Sequence, residues 1–364
     1  MTINMILSLK EVSFLFSCVL LISFGSCADK LDLSQFPLTT GGDPTVNDTS
    51  YVQQSPVWGQ FNQPQDIFIG REPVVYIADT KNNRIVQLDL SGAQIGQLFI
   101  SNPIAITQDY NFDLLVIGDT VTSIGDTLSV IYRIKTVPVG GIISNASKIT
   151  LIVSDYPTPV IGRNRRFTGI SVYPDNSYLI TRVGPNNSGS LDPDNAILKV
   201  RGINSVTEVI VLSGFQPTGN GIYSIEKISS VSTVLNDPTN FIITRNTTDY
   251  GFKVEWFQYD DVNGTYEPKF LPASNADIVK LQLGTPEDVT MDNNFSVFVV
   301  DSSKDSLFKF NSLGRLLPES FGGNGSGVNQ LNSPYGVAFF DKVLYIADTK
   351  NNRIVRYKLS TDLN

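Results

Sequence analysis

The sequence predicts an all-β protein assembled from copies of one strand-rich unit. The strongest observation is an exact repeat. The eleven residues Tyr76-Ile-Ala-Asp-Thr-Lys-Asn-Asn-Arg-Ile-Val86 return unchanged as Tyr345 to Val355, near the opposite end of the chain. A unit copied over that distance has to bury its apolar face against other copies of itself. The second observation is the length and make-up of the apolar runs. Val74-Val-Tyr-Ile-Ala78 and Val343-Leu-Tyr-Ile-Ala347 are short, rich in β-branched and aromatic residues, and bounded by turn formers. The third is composition: 28 glycines, 19 prolines and no sustained heptad pattern point away from helices.

Within a unit, the run ending in Ala-Asp reads as a strand buried on both faces. The following Arg84-Ile-Val-Gln-Leu-Asp-Leu90 and Arg353-Ile-Val-Arg-Tyr-Lys-Leu359 alternate more, as a strand with one wetter face does. Asn82-Asn83 and Asn351-Asn352 join the two, asparagine being tolerant of positive φ. A proline opens each copy, Pro64 in one and Pro334 in the other. This arrangement resembles the NHL repeat: an opening proline, a strand ending in an Ala-Asp-Thr turn, and Asn-Asn-Arg leading into the next strand. The resemblance implies a β-propeller.

Fainter copies lie between the exact ones. Pro103 to Asp119, ending in Ile117-Gly-Asp-Thr120, and Pro286 to Asp301 keep the proline, the strand pair and a closing aspartate. Phe167 to Arg182 and Ile222 to Arg245 close on Ile-Thr-Arg instead. Six units result, anchored at Asp79, Asp119, Arg182, Arg245, Asp301 and Asp348, so six blades are expected, with seven as the alternative. Interior units continue into a fourth strand, such as Gln94 to Ile100 or Gly314 to Leu317, but only five residues follow Leu359. The last unit must borrow its outer strand. The segment Ser50 to Gln54 is the expected donor, because pairing the two chain ends removes an open edge.

Export is written at the amino end. Lys10 precedes the apolar stretch Val12 to Gly25, short for a bilayer span but suited to a signal-peptide core, so residues 1–26 read as a signal peptide. Phe24-Gly-Ser-Cys27 resembles a bacterial lipobox, which implies acylation of Cys27 and a lipid-anchored place in the cell envelope. Ordinary secretion with a cut after Ala28 is the alternative. Residues 27–49 then form the lipidated cysteine and a polar tether, and residues 50–364 the propeller. The cysteines are Cys18 and Cys27, so the mature domain holds no disulfide of its own.

Composition removes several classes of function. The net charge is −8, which argues against nucleic-acid binding. There is no histidine, so Ser-His-Asp triads, Cys-His pairs and histidine-bound zinc are excluded. Amidating and streptogramin lyases on similar propellers use histidines, so their chemistry does not carry over. No cofactor is expected. Calcium at Asp192-Pro-Asp194-Asn195 is the one candidate, and standard turn chemistry accounts for those residues as well.

Asp79 with Arg84 and Asp348 with Arg353 read as structural pairs that cap turns within their own blades. The departures from the repeat are more informative about function. Arg182 and Arg245 replace the aspartate, and Arg163-Asn-Arg165-Arg166-Phe167 enters the third unit, so five arginines are expected on one sector of one mouth. They read either as an anion receiver or as partners of Asp192 and Asp194. Among Trp58, Phe61, Phe215 and Tyr335, Trp58 is the favoured stacking surface. The expectation is a monomeric, non-catalytic module that binds a protein or glycan, anionic ligands included, through its loop face and touches the membrane only through the lipid. The alternative is a lyase or hydrolase of anionic sugars at the central mouth.

Overall fold

The computed structural model describes residues 49–157, 162–187, 192–213, 222, 225–247 and 252–363. The signal peptide, Cys27, the tether and Phe215 lie outside the described residues. The described chain forms six four-stranded antiparallel sheets. Their inner strands are Asp66–Ile69, Ala105–Gln108, Arg166–Val172, Ile228–Thr233, Pro286–Met291 and Gly336–Phe340 in blades 1 to 6. Each inner strand contacts the next, and the last contacts the first, so the blades close a six-bladed β-propeller. Apolar seams hold them together. Ile85, Ile106, Leu114 and Val116 fill the seam between blades 1 and 2, and Trp58, Ile67, Ile77, Tyr345 and Ile354 fill that between blades 6 and 1.

The ring closes as the sequence predicts. Tyr51–Trp58 is the outer strand of blade 6 and runs antiparallel to Arg353–Leu359, pairing Tyr51 with Leu359, Gln53 with Tyr357 and Trp58 with Ile354. We call the face where the inner strands begin the upper face. Arg353 starts there, so the borrowed strand rises toward it, and Ser50 sits beside Ser360 on the lower face.

The exact repeat has a physical reason that spans two blades. Asp79 accepts from the Asn62 amide at 2.7 Å, from Asn82 Nδ2 at 2.8 Å and from Arg84 Nε at 2.7 Å, fixing the upper turn of its own blade. Thr80 Oγ1 instead donates to the Pro103 carbonyl of blade 2 at 2.7 Å, and the Asn102 amide of blade 2 donates to Asn83 Oδ1 at 2.9 Å. Asn83 sits at φ 53°. In blade 6, Asp348 pairs with Arg353 at 2.6 Å, Thr349 donates to the Pro64 carbonyl at 2.7 Å, and Gln63 donates to Asn352 Oδ1 at 2.8 Å. The motif thus caps one blade and clasps the next, so most of its polar side chains are constrained at once.

Two details differ from the sequence reading. In blade 2, strand register puts Gly118, not Asp119, level with Asp79, since Ala105 pairs with Ile117 as Asp66 pairs with Ala78. A side chain at Gly118 would meet the Ile100 side chain at 2.6 Å and the Ser101 carbonyl at 2.8 Å, so the carboxylate moves one residue on. In blade 5, the fourth strand is Phe321–Gly322, not Gly314 to Leu317. Gly314 at φ 73° closes a turn onto Asn311 instead, and the Leu316 amide is taken by Asp277 Oδ2.

Candidate functional site

At the innermost ring, one position recurs in every blade: Asp66, Ala105, Gly169, Ser230, Asp288 and Gly336. Strand register sets each opposite the residue that precedes the anchor position of its blade. Side chains here turn toward the next blade, and the space is small. A Cβ on Gly336 would lie 2.7 Å from Asp66 Cα, and one on Gly169 would lie 2.8 Å from the Val231 amide, which is why glycine stands at both. Where the residue is aspartate it staples blades: Asp66 accepts from the Ile106 amide of blade 2 at 2.6 Å, and Asp288 from the Val337 amide of blade 6 at 2.9 Å. Asp288 also accepts from Ser230 Oγ of blade 4 at 2.6 Å, and Asp66 from the Ile67 amide at 2.7 Å.

These inner strands surround an axial cavity of about 780 Å³. Val183, at the upper end of its strand, and the loop residues Gly184, Pro185, Asn187, Asn195, Glu226, Lys227, Asn246 and Tyr335 all belong to the upper side, so the cavity reaches the upper face. Isoleucines 67, 69, 104, 106 and 170 give apolar wall, while Asp66, Glu226, Glu287 and Asp288 supply carboxylates and Lys227 a single ammonium. Glu287 is held by Ser302 Oγ at 2.6 Å and Asn246 Nδ2 at 3.0 Å.

Withdrawal from water raises all three inner acids. Burial, and then the Asp288 charge, hold Asp66 well above the usual carboxylate range against two opposing amide bonds. Burial pushes Asp288 up to about 6, with Glu287 adding to the shift. Glu287 is raised by burial as well, with Asp301 adding, and the Tyr335 hydroxyl by burial and the Glu287 charge. For Asp288 the linkage runs one way. The folded protein holds a proton that the unfolded chain has released, so its contribution to stability is complete below about pH 4 and lost as pH rises through 6. Denaturant melts from pH 4 to 8 are expected to show Asp288→Ala flattening the fall in stability across that window by ~1–3 kcal/mol. Parallel profiles of the variant and the parent would refute the assignment.

The arginines singled out in the sequence lie elsewhere. Arg165 is 0 % exposed and Arg182 2 % exposed. Arg165 pairs with Asp194 at 2.7 Å and Asp192 at 2.9 Å, while Arg182 pairs with Asp192 at 2.9 Å and donates to the carbonyls of Tyr156, Pro193 and Asp194. Burial, then the Arg165 charge, lower the Arg182 pKa, and the aspartates oppose this. Arg245 pairs with Glu255 at 3.0 Å, Arg166 donates to the carbonyls of Arg165 and Thr127, and Arg163 pairs with Asp126 at an exposed site. None of the five is on the cavity wall. The expected anion receiver is thereby corrected: Arg165 and Arg182 spend their donors on the carboxylates of Asp192 and Asp194 and on four carbonyls, because a guanidinium out of water has to be paired. The same pairing engages both carboxylates of the calcium candidate, and among the described residues no acidic cluster of metal-binding make-up occurs.

Trp58 is also corrected. It belongs to the borrowed outer strand, is 5 % exposed, and packs between Tyr345, centroids 6.1 Å apart, and the Arg356 guanidinium, 4.5 Å above its ring. Phe61 is buried in the same seam, as is Leu331, its counterpart in the other exact copy, in the seam between blades 5 and 6. Of the described aromatics named from sequence, Tyr335 alone reaches the cavity. Sequence reasoning missed Asp66, Glu287 and Asp288. The available signal was the residue two places after an opening proline, which is aspartate after Pro64 and Pro286 but not after Pro103 or Pro334.

No protein-family model matches the sequence, and no curated protein matches it. Solved structures do. An auxiliary nutrient binding protein from Bacteroides thetaiotaomicron aligns with a TM-score of 0.57 at 11 % identity, over 86 % of this chain and 76 % of that one. The PQQ-bound aldose sugar dehydrogenase of Streptomyces coelicolor aligns with 0.54 at 12 %, over 86 % and 99 %. Virginiamycin B lyase from Staphylococcus aureus aligns with 0.50 at 12 %, over 85 % and 99 %. At such identities the likeness is one of fold, and this chain shares with these proteins the six-bladed β-propeller.

Proposed function

We propose that the protein is an NHL-type propeller, exported and lipid-anchored to a bacterial envelope through Cys27, that binds a small polar molecule or the tip of a glycan or protein in its axial cavity without transforming it. The observation that carries this reading is the cavity itself, about 780 Å³, reaching the upper loops and lined by an apolar wall with a few convergent polar groups. The fold does not decide the matter, because binding proteins and enzymes share it. Two features favour binding. Asp66 and Asp288 are committed to stapling strands, and no histidine is available for general acid or base work.

Thermal shift of the purified domain against neutral, cationic and anionic monosaccharides, beside the rim variant Val183→Trp, tests the cavity. Ligand-dependent stabilisation lost in the variant supports the reading, and stabilisation kept in the variant refutes it. For the anchor, Cys27→Ser is expected to move the protein from the membrane to the soluble fraction, since it removes the acyl chains. Unchanged fractionation refutes the lipid.

A second reading is favoured by one observation. Asp288, pushed up to about 6, is poised to give and take a proton near neutral pH, as a sugar lyase or hydrolase needs. Release of reducing or unsaturated ends from a glycan panel, abolished by Asp288→Ala, would establish it over the binding reading.

A further inference from the structure

The charges on the cavity wall are lopsided. Four carboxylates, Asp66, Glu226, Glu287 and Asp288, face one ammonium, Lys227, which stands at the rim beside Glu226. The acids are also grouped. Asp66 on blade 1 and Glu287 and Asp288 on blade 5 flank blade 6, whose own ring position is Gly336 and whose Tyr335 adds a hydroxyl. Across the axis, Ile104, Ile106 and Ile170 of blades 2 and 3 present hydrocarbon. The five arginines that could have reversed this balance are all off the wall.

We propose that the axial cavity takes an organic cation, a small molecule whose protonated amine sits toward Asp66, Glu287 and Asp288 and whose carbon body lies against the isoleucines of blades 2 and 3. This rests on the reading of the cavity as a binding site and adds the charge and polarity of what enters it. A carboxylate offers about four acceptor positions. Asp66 spends two on the amides of Ile67 and Ile106, and Asp288 three on Ser230 Oγ and the amides of Val289 and Val337, so each keeps acceptor capacity for a ligand. Asn246, on the same wall, has its Oδ1 buried without a hydrogen-bond partner, one more acceptor for which the protein supplies no donor. An ammonium offsets three acids that burial and mutual repulsion hold above their ordinary range, whereas an anion adds to that repulsion. A neutral sugar gains only hydrogen bonds.

The test uses two matched sets on the folded domain at pH 7.5, read by calorimetry: glucosamine, glucose and glucuronate, and cyclohexylamine against cyclohexanol. The amines are expected to bind at least about tenfold more tightly than their neutral counterparts, glucuronate to be rejected, and Glu287→Gln to remove most of that preference. Neutral or anionic members binding as well as the amines would overturn the cation proposal and leave the cavity reading standing. Calcium binding to the wild type but not to Glu287→Gln, without preference for amines, would overturn it too. No heat from any member at ~10 mM would overturn both.

Discussion

Arg182→Gln is expected to destabilise the propeller by about 3–5 kcal/mol, a large part of the total stability of a domain this size. The change removes a guanidinium that holds Asp192 at 2.9 Å and three backbone carbonyls, and it leaves Arg165 as the remaining cation among those groups. Asp192 keeps its bond to Arg165, but the carbonyls of Tyr156, Pro193 and Asp194 lose a charged donor whose own side chain is 2 % exposed. Arg163→Gln is the control. Its side chain is 54 % exposed and pairs with a part-exposed Asp126, so its loss should cost no more than about 1 kcal/mol. Urea melts of both variants decide the point. Equal midpoints would mean that the buried pairs contribute nothing beyond a surface contact.

Deleting residues 50–54 is expected to cost about 5 kcal/mol or more and to promote association. Tyr51, Val52, Gln53 and Gln54 pair with Leu359, Lys358, Tyr357 and Arg356, so the deletion bares the edge of the Arg353–Leu359 strand. Tyr51 is also a core residue, 3 % exposed, with ring centroids 5.8 Å from Phe321 and 6.5 Å from Phe298. Losing a buried aromatic and several ladder bonds together is what sets the magnitude. Deleting residues 29–39 should change neither melting temperature nor molecular mass in solution. If the two deletions melt alike, the borrowed strand does not hold the ring.

The blades were legible because their determinants are local and repeated. An apolar run of five, a turn aspartate and an asparagine at positive φ lie within a dozen residues in the two exact copies, and the apolar strand pair recurs in all six units, which makes the pattern stand out from noise. Ring closure was legible too, since the expected donor, Ser50 to Gln54, overlaps the Tyr51–Trp58 strand that pairs with Arg353–Leu359. The outer strand of blade 5 was not, because Phe321–Gly322 is two residues long and has no period to read. The site was misread for a different reason. Arg182 and Arg245 depart from the repeat, but so does any residue that must satisfy a local loop: the Asp192 carboxylate and the Asp194 carbonyl lie ten and twelve residues beyond Arg182, and Glu255 ten beyond Arg245. Asp66 and Asp288 were hidden by symmetry. Their shared position stands out once register places two aspartates, two glycines, an alanine and a serine around one axis.

The direction of the borrowed strand makes the ring polar with respect to its own attachment. Ser50, where the described chain takes up its first pairing, lies on the lower face beside Ser360, and the cavity reaches the upper one. Ser50 and the upper mouth therefore lie at opposite ends of the ring's axis. The strand that seals the ring thus also sets where the chain enters it: were the outer strand of blade 6 supplied from the carboxyl end instead, the chain would enter the ring beside the mouth.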